Sequence, residues 1–198
     1  MRPARRATAD WDWGVEVGER DSVVRGYVLR IGAAIREGQR LTRKRANLSR
    51  MTGAKGTEMA DIRQVTDRFS VAPQIALEDF AALANAGYRH VINNRPDGES
   101  PDQPSSAESA EAARKAGLSY VHAPFVGQPT LDAVKAVRGA DAQGKTLAYC
   151  RSGTRSVTAW AVAQASAGEE LQYVLESAAE AGYNLAQMAR TLRQLGAK

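Results

Sequence analysis

The stretch Leu147-Ala-Tyr-Cys-Arg-Ser-Gly-Thr-Arg-Ser156 holds the clearest structural signal in the chain. An apolar run ends at Cys150, a turn containing Gly153 follows, and an Ala-rich segment continues from Arg155. This order predicts a buried strand, a tight turn, and a helix over residues 155–167. The N–H groups of such a turn and the positive end of the helix dipole together favour binding of an anion.

Cys150 lies at the floor of this predicted turn, where the amides, the helix and Arg155 would all stabilise a thiolate. We therefore predict that Cys150 is a nucleophile and that Arg155 binds a substrate anion through its planar fork of donors. A buried structural cysteine is the alternative, which the polar surroundings disfavour. Ser156 is expected to donate a hydrogen bond to Cys150, to cap the helix, or both. The residues predicted to bind substrate are Arg151, Ser152, Gly153, Thr154 and Ser156.

The segments outside this loop alternate between strand-like and helical patterns. Such alternation predicts crossover connections and therefore an α/β fold with a mostly parallel central sheet flanked by helices. Functional loops then lie at the carboxyl ends of the strands. The predicted strands are 62–65, 69–71, 88–93, 118–123 and 145–150. The predicted helices are 77–86, 105–116, 130–140, 155–167, 169–181 and 184–195.

A second loop at a predicted strand end, Arg95-Pro-Asp-Gly-Glu99, carries two carboxylates. Cleavage of a phosphate ester through a cysteine needs a general acid for the leaving oxygen. Asp97 is the first candidate for this acid and Glu99 the second, although a Pro-Asp-Gly turn explains the same residues. Arg95 is expected to pair with a site carboxylate or with substrate. His122, close to another strand end, is expected to line the pocket.

Three segments together resemble one bacterial family. They are Gln64-Val-Thr-Asp-Arg-Phe-Ser-Val-Ala-Pro-Gln74, Val91-Ile-Asn-Asn-Arg-Pro-Asp-Gly-Glu99 and Ala148-Tyr-Cys-Arg-Ser-Gly-Thr-Arg155. The family is the phosphatase-like domain of beta-lactamase-hydrolase-like proteins, also labelled a sulfur transferase family, and the resemblance covers about residues 61–164. It implies a cysteine-phosphatase-like fold of the dual-specificity-phosphatase type. In those phosphatases the acid usually follows the next strand, where this chain has no acid before Asp132.

The loop itself supports more than one reaction. Four residues separate Cys150 from Arg155, as in rhodanese-type loops, whereas phosphatase loops have five and usually a His where Tyr149 stands here. The first hypothesis is a cysteine-dependent phosphatase-like hydrolase. The second is a rhodanese-type sulfurtransferase that forms a persulfide on Cys150. The third is a non-catalytic anion-binding module.

The net charge of +5 is unevenly distributed along the 198 residues. Residues 1–58 contain 13 Lys and Arg against 7 Asp and Glu, and the remainder contains 14 against 15. We expect residues 1–58 to be a basic, disordered extension or a start assigned too early, and residues 59–198 to be the catalytic domain with C-terminal helices. A nucleic-acid partner is not expected, because the predicted domain is close to neutral.

The composition of the chain argues against membrane, disulfide-bonded, metal-binding and nucleotide-binding proteins. No apolar run approaches the roughly 20 residues of a membrane span, and one cysteine excludes an internal disulfide, so a cytoplasmic location is expected. Two separate histidines do not make a metal site, and no dinucleotide or nucleotide motif is present. We therefore predict no metal and no cofactor. The expected partner is a small anion, either a phosphate ester or thiosulfate or a persulfide, and the sequence gives no prediction of the oligomeric state.

Overall fold

The computed structural model describes residues 60–141 and 143–198, so the predicted basic extension lies outside the described residues. An α/β sheet structure is confirmed. Its strands are β1 Arg63–Gln64, β2 Phe69–Ala72, β3 His90–Asn93, β4 Ser119–His122 and β5 Thr146–Tyr149. Its helices are α1 Asp79–Asn85, α2 Ser106–Lys115, α3 Leu131–Asp141, α4 Thr154–Ser166, α5 Leu171–Glu180 and α6 Ala189–Gln194.

The five strands form one sheet in the order β1-β2-β5-β3-β4. All neighbours pair in parallel except β1 and β2, which form an antiparallel pair. Tyr149 pairs with both Ala72 and Asn93, and Asn93 also pairs with His122. The parallel strands therefore end in one row, and the loops that follow them meet at one edge of the sheet.

Strand β5 is central and fully buried, because helices cover both faces of the sheet. Leu147 and Tyr149 face the layer formed by α1 and α2, whereas Ala148 faces the layer formed by α3 to α6. In that second layer Trp160 of α4 is completely buried and stacks on Phe69, with 6.4 Å between ring centroids. The Ala-rich sequence of α4 suits this position, since small side chains allow close packing on both the sheet and the neighbouring helices.

The prediction of a helix over 184–195 is wrong for residues 184–188. A short 3₁₀ turn, Ala186–Met188, precedes α6, and the side chain of Asn184 accepts a hydrogen bond from the N–H of Ala186 at 2.9 Å. An Asn side chain that bonds the backbone two residues ahead competes with regular helix, so the helix starts later than the apolar pattern suggests. Within the described part of the chain, no helix is long and apolar enough to cross a membrane.

Candidate active site

Cys150 follows β5 directly and is 1% exposed. The loop turns back at Gly153, which precedes α4 and has φ of +86°. Residues with a side chain rarely adopt this left-handed backbone conformation, so the turn requires glycine. The turn brings the N–H of Gly153 to 3.2 Å from the Sγ of Cys150, and a donor at this position stabilises a thiolate.

Among residues 60–141 and 143–198, no backbone group accepts from three N–H groups at the start of α4, which can therefore bind an anion. Helix α4 begins at Thr154, and its first hydrogen bond within the helix runs from the N–H of Val157 to the carbonyl of Gly153. The N–H groups of residues 154, 155 and 156 therefore have no acceptor within the helix. Together with the helix dipole they create positive potential next to Cys150. The predicted strand, turn and helix are confirmed.

Arg155 is held in one orientation by two protein groups. Its Nη1 donates to Oε1 of Glu99 at 2.7 Å and to the carbonyl of Phe125 at 3.1 Å, and its Nη2 donates to Oε2 of Glu99 at 2.7 Å. Three of the five guanidinium N–H donors thus bond protein oxygens, and within the described residues the other two, on Nε and Nη2, bond no protein oxygen. These two lie on one edge of the planar group. The bond to Glu99 raises the pKa of Arg155, and the nearby Cys150 raises it further.

Glu99 also accepts a hydrogen bond from Nε of Arg95 at 2.9 Å. Its bonds to Arg155, and then to Arg95, lower its pKa to about 2. The carboxyl is therefore ionised at neutral pH and has no proton to give, which argues against the predicted role of Glu99 as the second candidate acid. The prediction that Arg95 pairs with a site carboxylate is confirmed. Arg95 is 5% exposed and also donates to the side chain of Gln74 at 2.9 Å.

Asp97, the first candidate acid, bonds the start of α2. Its Oδ1 accepts from the N–H of Ser106 at 2.9 Å, and its Oδ2 accepts from the hydroxyl of the same residue at 2.8 Å. These two bonds give Asp97 a structural role at the start of α2, which is an alternative to a catalytic role. Among the described residues, neither oxygen bonds the loop that carries Cys150. A catalytic role for Asp97 stays a prediction.

Ser156 does not take either of its predicted roles. Its side chain is completely buried, and its Oγ has no hydrogen-bond partner among residues 60–141 and 143–198. The cap position belongs to Gly153, because the helix begins at Thr154 and places Ser156 inside the first turn. The other loop side chains predicted to bind substrate, Arg151, Ser152 and Thr154, are exposed, and the Ser152 hydroxyl donates to that of Thr154 at 3.2 Å.

A network of partly buried side chains connects the strand ends from which the two site loops begin. The hydroxyl of Tyr149 lies 3.4 Å from that of Tyr120, which accepts from Nδ2 of Asn93 at 2.9 Å. The side-chain carbonyl of Asn93 accepts from the N–H of Arg95 at 2.8 Å. Burial raises the pKa of both tyrosines, so their hydroxyls remain protonated. The ring of His122 bonds the carbonyl of Arg95 at 3.0 Å and holds the same loop.

Sequence reasoning missed Tyr183, Phe125 and Gln74. Tyr183 lies after α5, and its hydroxyl donates to the carbonyl of Ser152 at 3.2 Å. Its spacing in the sequence is indistinguishable from that of a core residue, and Phe125 acts through its backbone, so no local pattern signals either. Within the described residues, no group of three or more His, Cys, Asp or Glu could hold a metal ion.

Several solved structures share this fold. A candidate phosphatase from Neisseria meningitidis superposes with a TM-score of 0.59 at 28% identity, over 68% of this chain and 97% of that one. PTPMT1 superposes with a TM-score of 0.53 at 20% identity, over 68% of this chain and 93% of that one, and has also been solved in complex with PI(5)P. The predicted dual-specificity-phosphatase-like fold is confirmed.

Curated relatives carry one name. The beta-lactamase hydrolase-like protein of Xylella fastidiosa is 33% identical over 137 residues, which are 67% of this chain and 32% of that protein. The protein of the same name from Agrobacterium fabrum is 31% identical over 138 residues, 68% of this chain and 32% of that protein. This chain therefore spans about a third of the length of these relatives. The family described as beta-lactamase hydrolase-like protein, phosphatase-like domain, matches residues 61–167, and the chain belongs to it.

Proposed function

We propose that this protein is a cysteine-dependent phosphatase-like hydrolase that cleaves small phosphate monoesters. One observation carries the proposal: Glu99 and Phe125 fix Arg155 beside Cys150, and within the described residues its other two N–H donors bond no protein oxygen. An edge with two N–H donors matches two oxygens of a phosphoryl group. PI(5)P, the ligand of PTPMT1, is itself a phosphate ester bound on this fold.

The reaction has two steps. The thiolate of Cys150 attacks phosphorus, a sulfur–phosphorus bond forms, and the phosphorus–oxygen bond to the leaving group breaks with its electron pair on oxygen. Water then attacks phosphorus, releases inorganic phosphate and returns the thiolate. Arg155 and the N–H groups of residues 154–156 stabilise the charge on the equatorial oxygens in both steps.

The leaving oxygen needs a proton unless it leaves easily as an anion. Asp97 is the proposed donor, and in that role its carboxyl must release Ser106, to which both oxygens are bonded. A phenolate with electron-withdrawing groups leaves without such help, whereas an alkoxide does not. The identity of the leaving group therefore measures how much acid catalysis the site supplies.

A second reaction is favoured by the short loop between Cys150 and Arg155 and by the engagement of both nearby carboxylates. In it the thiolate attacks the outer sulfur of thiosulfate, sulfite leaves with the electron pair of the broken bond, and a persulfide forms on Cys150. No general acid is needed, since sulfite is a stable anion. An acceptor such as cyanide then removes the sulfur.

Hydrolysis of p-nitrophenyl phosphate by the full chain, compared with its Cys150→Ser variant, tests the proposal. The proposed function predicts turnover that the variant loses. Equal rates in both proteins would contradict it. Thiosulfate with cyanide, measured on the same two proteins, tests the second reaction, which predicts thiocyanate formation that depends on Cys150.

A further inference from the structure

The peptide unit between Ser152 and Gly153 is hydrogen-bonded at both ends. Its N–H donates to the Sγ of Cys150 at 3.2 Å, and its carbonyl accepts from the hydroxyl of Tyr183 at 3.2 Å. In a trans peptide these two groups point in opposite directions from one rigid plane. A single peptide plane therefore lies between the phenol of Tyr183 and the sulfur of Cys150. The hydrogen bond to the phenol fixes the direction in which the N–H points at the sulfur.

Tyr183 is fixed where it makes this bond. It is 8% exposed, and its N–H donates to the carbonyl of Ala178 where α5 ends at a left-handed Gly182. The guanidinium of Arg63 lies over the ring of Tyr183, 5.3 Å from the ring centre. A side chain at Gly153 would collide with the Tyr183 hydroxyl, so the phenol and the loop are in direct contact.

We propose that Tyr183 is a positioning residue for the nucleophile, because its hydrogen bond to the Ser152 carbonyl keeps the Gly153 N–H directed at Cys150. The inference rests on the proposed role of Cys150 as the nucleophile. A carbonyl that accepts a hydrogen bond polarises its peptide and makes the N–H of that peptide a stronger donor. Tyr183 therefore acts on the thiolate in two ways, through orientation and through polarisation.

The phenol is suited to this role because it stays protonated. Burial raises the pKa of Tyr183 and outweighs the nearby Arg63 guanidinium, which lowers it. A neutral hydroxyl must donate to Ser152, since a carbonyl oxygen only accepts. The residue also lies outside residues 61–167, which match the family, so the segment that follows α5 supplies part of the proposed site.

The Tyr183→Phe variant keeps the ring and removes only the hydroxyl. The chain contains one cysteine, so the ultraviolet absorbance of the thiolate, minus that of the matching Cys150→Ser protein, reports this residue alone. We expect the midpoint of the thiolate absorbance against pH to move up by about half a pH unit, which lowers the thiolate fraction below the midpoint about threefold. Tyr173→Phe, at a 45% exposed position on α5, is the matched control and should leave the midpoint unchanged.

An unchanged midpoint in folded Tyr183→Phe would overturn the inference. Thermal unfolding of each protein establishes that it is folded; if Tyr183→Phe does not fold, Tyr183→Met, which also lacks the hydroxyl and leaves the loop sequence unchanged, is measured in the same way. For that variant too, an unchanged midpoint refutes the role of Tyr183. The readout needs no turnover, so loss of the proposed hydrolase function and loss of this inference are separate outcomes.

Discussion

Replacing Glu99 by Gln removes the charge that holds two arginines while nearly keeping the size of the side chain. The carboxylate makes two bonds of 2.7 Å to Arg155 and one of 2.9 Å to Arg95, and its side chain is 25% exposed. A Gln amide offers one oxygen acceptor and turns its NH₂ group, a donor, towards a guanidinium. The Glu99→Gln substitution therefore breaks one edge of the bidentate pair and leaves Arg95 with a weaker partner.

The expected cost follows from this geometry. Partly exposed ion pairs contribute little and fully buried ones up to several kcal/mol, so we expect a loss of about 1–2 kcal/mol in the free energy of unfolding. Loosening Arg155 should also lower kcat/KM for an aryl phosphate about 10- to 100-fold, since each tenfold loss corresponds to about 1.4 kcal/mol of transition-state stabilisation.

The stability of the Glu99→Gln variant at acid pH provides a second test of the role of Glu99. Glu99 has a pKa lowered from 4.5 to about 2, so its ion pairs stabilise the folded protein above pH 4.5 and lose that contribution as the pH falls towards 2. The difference in unfolding free energy between the natural protein and Glu99→Gln should be constant above pH 4.5 and shrink below it. Urea unfolding at several pH values measures this, with the exposed Glu78→Gln as control.

Two outcomes would refute this account of Glu99. A variant with unchanged kcat/KM would mean that Arg155 needs no support from the carboxylate. A stability difference that stays constant down to pH 2 would mean that the charge of Glu99 contributes nothing to the fold.

Two further substitutions separate the roles of the loop residues. Asp97→Asn should lower the hydrolysis of an alkyl phosphate about 100-fold while changing that of p-nitrophenyl phosphate much less, because only the alkoxide needs the proton; equal effects on both substrates would exclude Asp97 as the acid, and the exposed Asp102→Asn is the control. Ser156→Ala removes a buried hydroxyl that has no hydrogen-bond partner in the described part of the chain, so its free energy of unfolding should change by less than about 1 kcal/mol. A loss above about 2 kcal/mol in urea unfolding would show that the hydroxyl is bonded in solution.

Local patterns sufficed to predict the sheet and the loop of Cys150. The strand 146–149 is buried on both faces, so the apolar residues 147–149 follow one another without interruption, and the glycine at 153 signals the turn. The predicted arrangement of parallel strands followed from alternation alone. For the strand and the loop of Cys150, the information lies within about ten neighbouring residues.

The partners of these residues could not be predicted, because they come from distant parts of the chain. Glu99 and Arg155 are 56 residues apart, and Tyr183 is 31 residues from Ser152. The sequence placed both Asp97 and Glu99 at one strand end, but which carboxylate faces Arg155 depends on how the loop folds. Ser156 shows another limit: it could cap the helix only if the helix began at residue 157, whereas α4 begins at Thr154.

The central claim is that Cys150 becomes phosphorylated during turnover. Rapid quenching of the full chain with p-nitrophenyl phosphate, followed by mass spectrometry of its peptides, tests this most directly. The account predicts the added mass of one phosphoryl group on the peptide containing Cys150, and none on the Cys150→Ser protein. Turnover without any phosphoryl group on that peptide would contradict it.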